Sequence, residues 1–188
     1  MLDFKIIAIN ELSKLAVNQE LYTWLELLEF VCSLPYGRNE NRHDLSLVLK
    51  EKKGTCSSKH AFLKAIALEN NQDNVKLILG LYKMNIENTP RIGVELVKNS
   101  IDYLPEAHCY LKINDTRIDV TSANSNFEKI RDSLIKEIEI QPHQVSEYKV
   151  DYHKKFIEQW IKENGIKYSF NEIWAIREKC IKNIENSN

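Results

Sequence analysis

The stretch "HCYLKINDTRIDVT", residues 108–121, constrains the fold more than any other part of this chain. Asn114 and Asp115 have the composition of a two-residue hairpin turn, so the residues on either side pair as antiparallel strands. About that turn Ile113 faces Thr116, Leu111 faces Ile118 and Cys109 faces Val120. Side chains alternate between the two faces of a strand, so these six form one mostly apolar face suited to a core. The other face carries His108, Tyr110, Lys112, Arg117, Asp119 and Thr121. A slip of one residue would bury His108 and turn the apolar set to water, so the pattern selects one register. In that register His108 and Asp119 are diagonal neighbours, about 7–8 Å apart at the backbone and closer at their tips.

The diagonal matters because of a third residue upstream. In "EKKGTCSSKH", residues 51–60, Cys56 stands between a glycine-threonine pair and the start of a helix that carries Ala61, Phe62, Ala65, Ile66 and Leu68. At a helix start the unpaired N–H groups and the helix dipole favour a thiolate, lowering its pKa from about 8.5 into the range of roughly 3.5–7.5. The same N–H groups can hold an oxyanion, and Gly54 predicts a close approach of backbone or substrate. A carboxylate orienting an imidazole whose second nitrogen faces a thiol is the arrangement used for nucleophilic cysteine chemistry. The candidates are therefore Cys56 as nucleophile, His108 as base and Asp119 as orienting acid. Tyr36, in "PYGRN", is a candidate second oxyanion donor because a phenol can donate; its alternative role is a turn residue packed on the core. His60 lies four residues after Cys56 and competes as base or metal ligand, but no third residue in sequence orients it. Nothing singles out His43, His143 or His153.

Elsewhere the pattern predicts helix from Asn10 to Leu34, broken by "LPYGRNENR", and a short helix capped by Asp44 and stopped by Gly54. "VKLILGLYKM" is apolar on both faces, the mark of a central buried strand. A short helix follows Pro90, "NFEKIRDSLI" reads as helix, and "KEIEIQP" as a short strand. Tyr148, Tyr152, Phe156 and Trp160 recur every four residues along a long helix ended by Gly165, and that stripe reads as core packing rather than a ligand pocket. A last helix opens on Ser169 and Glu172 at capping-box spacing and turns Ile173, Trp174, Cys180 and Ile181 inward.

Composition limits the partners. The 26 basic and 27 acidic side chains leave no basic excess for nucleic acid. No apolar run approaches the roughly 20 residues of a membrane helix. The start "MLDFKIIAINEL" lacks the basic end and cleavage site of a signal peptide, so a cytoplasmic chain is expected. Cys32, Cys56, Cys109 and Cys180 are scattered with no CxxC pair, which argues for free thiols and against both structural zinc and a disulfide framework. Neither a metal nor a cofactor is called for.

The pieces "KGTCSSKHAFLKAIALEN", "EAHCYLKI" and "TRIDVT" resemble a transglutaminase-like protein, a branch of the papain-like cysteine hydrolases, in the order cysteine, histidine, aspartate. The resemblance spans residues 54–121. It implies an α+β fold, an antiparallel sheet flanked by helices with the Cys56 helix against it, in a single domain. The core would cover about residues 10–125, with a helical C-terminal extension over about 126–188 that the resemblance does not explain. It also implies thiol-dependent acyl transfer on an amide through a thioester, with a peptide, a protein or a small amide as substrate. The competing expectation is a catalytically silent peptide-binding module on the same fold. A CoA-dependent arylamine acetyltransferase shares the triad order, but "KGTC" lacks the arginine usual before that family's cysteine.

Overall fold

The computed structural model describes residues 2–185. Strand β1 (Val75–Met84) is apolar on both faces because it runs inside a four-stranded antiparallel sheet. On one side β2 (Leu104–Ile113) pairs with it along its whole length, from Val75↔Ile113 to Met84↔Leu104. On the other side lies β4 (Leu134–Ile140). The short β3 (Thr116–Ile118) covers only one end of β2, which completes the order β3-β2-β1-β4. The hairpin register is Ile113↔Thr116, Lys112↔Arg117 and Leu111↔Ile118, the one selected by the apolar alternation, and Asn114 takes the left-handed φ of 53° that the turn requires.

Helices cover both faces. Against one face lie α1 (Glu11–Val17), α2 (Trp24–Ser33), the single turn α3 (Leu47–Lys50) and α4 (Cys56–Glu69). Their Trp24, Leu27, Phe62 and Ile66 share a buried cluster with Leu79, Leu81, Ala107, Cys109 and Leu111 of the sheet. The opposite face receives α5 (Gly93–Asn99), the short α6 (Glu128–Arg131), α7 (Glu147–Glu163) and α8 (Phe170–Glu185). Ile157, Trp160, Ile173, Ile176 and Cys180 of the last two helices share a second cluster with Ile78, Tyr82, Leu104 and Tyr110. The final third of the chain therefore supplies both an edge strand and much of the second core.

Three local expectations are corrected. Residues 10–34 are two helices, because Thr23 starts a new one: its hydroxyl accepts the Glu26 N–H while the Glu26 carboxylate accepts the Thr23 N–H. In "NFEKIRDSLI" only one turn is helical. From Leu134 the backbone satisfies the second edge of β1 instead, and a pairing edge outweighs weak helical periodicity. Trp174, expected inward, is only half-buried beside Lys154 and Arg177. The aromatic stripe of α7 is packing at its far end, where the buried Trp160 donates to the Tyr103 hydroxyl, and surface at its near end, where Tyr148 is exposed. Gly165, at φ 59°, ends α7, and Ser169 with Glu172 forms the capping box of α8. No helix among the described residues is long and apolar enough to cross a membrane.

Candidate active site

Cys56 is the first residue of α4 because Thr55 caps the helix. The Thr55 hydroxyl accepts the Ser58 N–H, and the Ser58 hydroxyl accepts the Thr55 N–H at 2.9 Å. The N–H groups of Cys56 and Ser57 have no acceptor among the described residues. Gly54 makes the expected close approach, but to side chains of the protein itself: a Cβ there would lie 2.8 Å from Lys59 Cγ and 2.9 Å from Ser58 Oγ. Gly54 also bridges to Tyr36, with the Gly37 N–H bonded to the Gly54 carbonyl and the Gly54 N–H to Pro35. That bridge holds the Tyr36 ring beside Cys56.

The other two residues come from the hairpin. Because β3 pairs only with Leu111–Ile113, it leaves the outer edge of β2 open beside residues 104–110, and the start of α4 occupies that gap. Cys109 of β2 lies beside the Cys56 sulfur there. The His108 Nε2–H donates to Asp119 Oδ2 at 2.8 Å, and the Cys56 thiol lies close enough to the imidazole for each to shift the titration of the other. The second oxygen of Asp119 accepts from the Thr121 N–H and hydroxyl. The structure thus brings Cys56, His108 and Asp119 together in the order thiol, imidazole, carboxylate.

Burial alone would push the thiol up, but the charges of Lys149 and His108, with the neighbouring polar groups of His108 and Cys109, bring it down to about 6. Burial disfavours a charged His108, yet Asp119 and the thiolate hold its pKa well above the ordinary histidine value. Burial would also raise Asp119, and the His108 imidazolium keeps that carboxyl well below the usual range instead. Both shifts favour the thiolate–imidazolium form of the pair. Burial and the neighbouring thiolate raise Tyr36 well above its ordinary value, so its phenol keeps its proton.

Asp119 has already left the sheet, and two buried side chains of α4 hold the segment it rides on. His60 donates from Nδ1 to the Cys56 carbonyl at 2.7 Å and accepts the Val120 N–H on Nε2 at 2.9 Å. Both nitrogens are committed, and burial lowers its pKa to about 4, so it is a neutral strut rather than a competing base or ligand. The fully buried Lys59 donates to the carbonyls of Leu34, at 2.5 Å, and Thr121, at 2.7 Å.

Two clefts meet at Cys56. The larger, about 700 Å³, runs between the segment after α2 and the faces of α7 and α8. The smaller, about 210 Å³, lies beyond His108 and Asp119 toward Asn88, Asn124 and Asn126. Tyr36, Cys56, Glu106 and Ile181 line both. Glu106 is closed by a bidentate, buried ion pair with Arg177 of α8. His153 of α7 is bonded to the Pro105 carbonyl at 2.8 Å, anchoring that helix to the start of β2. Sequence reasoning missed Glu106, Lys149, His153 and Arg177. Alternation could have found Glu106, two residues before His108 on the same face; the other three lie in charge-rich helices and carry no local signal.

Neither a family model, nor a curated protein, nor a solved structure matches the chain.

Proposed function

We propose that the protein is a thiol-dependent acyl-transfer enzyme that acts on an amide through a thioester on Cys56. The observation that carries this reading is the His108 imidazole, held by Asp119 at 2.8 Å beside a thiol whose pKa is drawn down to about 6, at the junction of two clefts. The thiolate attacks the carbonyl carbon, an S–C bond forms, and the π pair moves to oxygen. That oxyanion is received by the free N–H of Cys56 at the start of α4, with the protonated Tyr36 as second donor. As the intermediate collapses, His108 gives its proton to the leaving nitrogen and the C–N bond breaks. Water or a second amine then attacks the thioester, losing its proton to neutral His108 while the thiolate departs. Two clefts suit a reaction in which an acyl part and an amine part lie on opposite sides of one sulfur. Peptides, proteins and small amides are the substrates this chemistry admits.

Intact-mass trapping tests it. Wild type incubated with activated esters and with peptide and protein amides should gain the mass of one acyl group, and Cys56→Ala should gain none. Parallel incubation with an acyl-CoA separates acetyl transfer from amide chemistry. Absence of both acyl-enzyme and turnover, together with a partner whose affinity Cys56→Ala leaves unchanged, would replace the enzyme with a binding module.

A further inference from the structure

The charge on the thiol has a second support besides His108. On the side of the large cleft, Lys149 of α7 donates from Nζ to the Ser57 hydroxyl at 2.6 Å, and that hydroxyl lies 3.8 Å from the Cys56 sulfur. A hydroxyl that accepts from an ammonium has its own proton to donate, and of its two sulfur neighbours, Cys56 and the neutral Cys109, the anionic Cys56 is the stronger acceptor. Lys149 is half-buried and lies within ion-pair distance of no carboxylate among the described residues. We propose that Lys149 is a positioning residue for the Cys56 thiolate, acting through the Ser57 hydroxyl, so that α7 completes the site from outside the Cys-His-Asp set. The inference rests on Cys56 as the reacting group, and it adds a reason for the C-terminal helices to pack where they do.

Other groups face the sulfur as well. His108 and Cys109 approach from β2, Tyr36 from the segment after α2, Lys59 from within α4 and Tyr82 from β1. Tyr36, Tyr82 and Cys109 are neutral near pH 7, each with its pKa pushed up by burial. Lys59 is charged but spends two donors on backbone carbonyls. Lys149 in turn faces Glu106 and His153, and Glu106 is already closed by Arg177. Apart from His108, then, Lys149 is the cation whose donors lead to the thiol. An opposite charge within about 4–6 Å shifts a titrating group by roughly one to three units. Two cations then receive the charge that returns to sulfur when the thioester collapses: His108, reprotonated by the attacking water or amine, and Lys149 through the Ser57 hydroxyl.

The test is the pH dependence of iodoacetamide labelling at Cys56 in the intact protein without substrate, followed by peptide mass. Lys149→Met should move the midpoint up by about one pH unit, Ser57→Ala by less, and Lys149→Arg should stay near wild type. Thermal midpoints of the three variants report the fold separately. A Lys149→Met profile that superimposes on wild type overturns the proposal. So does a Lys149→Arg profile shifted as far as that of Lys149→Met, because the cause is then packing rather than charge. If Lys149→Met does not fold, Ser57→Ala decides alone: an unmoved midpoint overturns the chain through the hydroxyl. Because labelling needs no turnover, failure here is distinguishable from failure of the acyl-transfer reading, which acyl-enzyme mass reports.

Discussion

The two faces of β2 divide the labour of the molecule. One carries Ala107, Cys109, Leu111 and Ile113, all buried in a cluster with α4 and its neighbours. The other carries Glu106, His108, Tyr110 and Lys112, in which nearly every polar group has a specific partner: Arg177 for Glu106, Asp119 for His108, Glu137 for Tyr110. Both faces are covered by helices, so the difference is one of chemistry more than of exposure. Burying apolar side chains is non-directional and tolerates approximate geometry. Burying charge is favourable only where each group finds its counterpart, which makes the polar face the one whose geometry is specified. Gly80 serves the polar face: opposite His108 in the ladder, it leaves room for the Tyr110 ring, which a Cβ would meet at 2.8 Å.

The sharpest break between the faces should come from Cys56→Ala. Removing a nucleophile that forms the covalent intermediate costs roughly a millionfold in turnover in a comparable thiol or hydroxyl enzyme, while the thermal midpoint stays near wild type because the truncation is small. Asp119→Asn ranks next. It keeps the shape but weakens the hold on His108, so turnover should fall by roughly 10²- to 10⁴-fold and substrate binding should survive. If Asp119→Asn left turnover intact, the hydrogen bond at 2.8 Å would be structural only.

The apolar face should respond the other way. Phe62 is fully buried in α4, and Phe62→Ala should cost roughly 3–5 kcal/mol of stability by denaturant unfolding. The labelling midpoint of Cys56 in the folded fraction should stay put. A moved midpoint would mean that the core sets the thiol geometry directly.

Between the two stands the buried pair Glu106–Arg177. The Arg177 charge, with smaller help from His153 and Lys149, outweighs burial and lowers Glu106 from 4.5 to about 2. A carboxylate whose folded pKa is depressed contributes stability that is complete above its unfolded pKa and is lost as pH falls through the folded one. Wild type should therefore lose stability between about pH 4.5 and 2. Glu106→Gln, which leaves Arg177 with Glu178 at 2.7 Å as its carboxylate partner, should start lower at pH 7, by at most about 3 kcal/mol, and change less across that window. Equal slopes for the two proteins in urea titrations at pH 5 and 3 would assign the acid sensitivity elsewhere.

How much of this was legible depended on the distance over which each signal acts. The apolar alternation of residues 109–120 dictated the register, and with it the meeting of His108 and Asp119, because a strand pair is a local object with period two. Cys56 was visible from its place after Gly54 and Thr55. The Thr23–Glu26 cap was present in the letters but masked by apolar residues that continue at helical steps on both sides. Lys149 and Arg177 could not be found that way. Their roles follow from how α7 and α8 cross the end of the sheet, and a crossing angle leaves no periodic trace in "EYKVDYHKK". His60 looked like a base by spacing, and only its two committed nitrogens identify it as a strut.

The smallest effect concerns the far half of the polar face. Arg117 donates to both oxygens of Glu137, which also accepts from Tyr110, and Arg117 lies over the Phe127 ring. Tyr110 in turn is the ring next to His108, with centroids 6.0 Å apart. If the polar face were one coupled network, disturbing Arg117 would reach the thiol through that ring. The geometry argues against it: ring stacking transmits neither a proton nor a fixed charge, and His108 takes its orientation from Asp119. The Arg117–Glu137 pair is about a quarter exposed at both side chains, which screens it and limits its worth to about 1 kcal/mol. Arg117→Met should thus lower the thermal midpoint by about 2–4 °C and leave the Cys56 labelling profile unchanged. A midpoint of labelling displaced together with the thermal midpoint would join the two halves of the face into a single unit, and the division drawn between chemistry at Glu106–His108 and support at Tyr110–Arg117 would have to be abandoned.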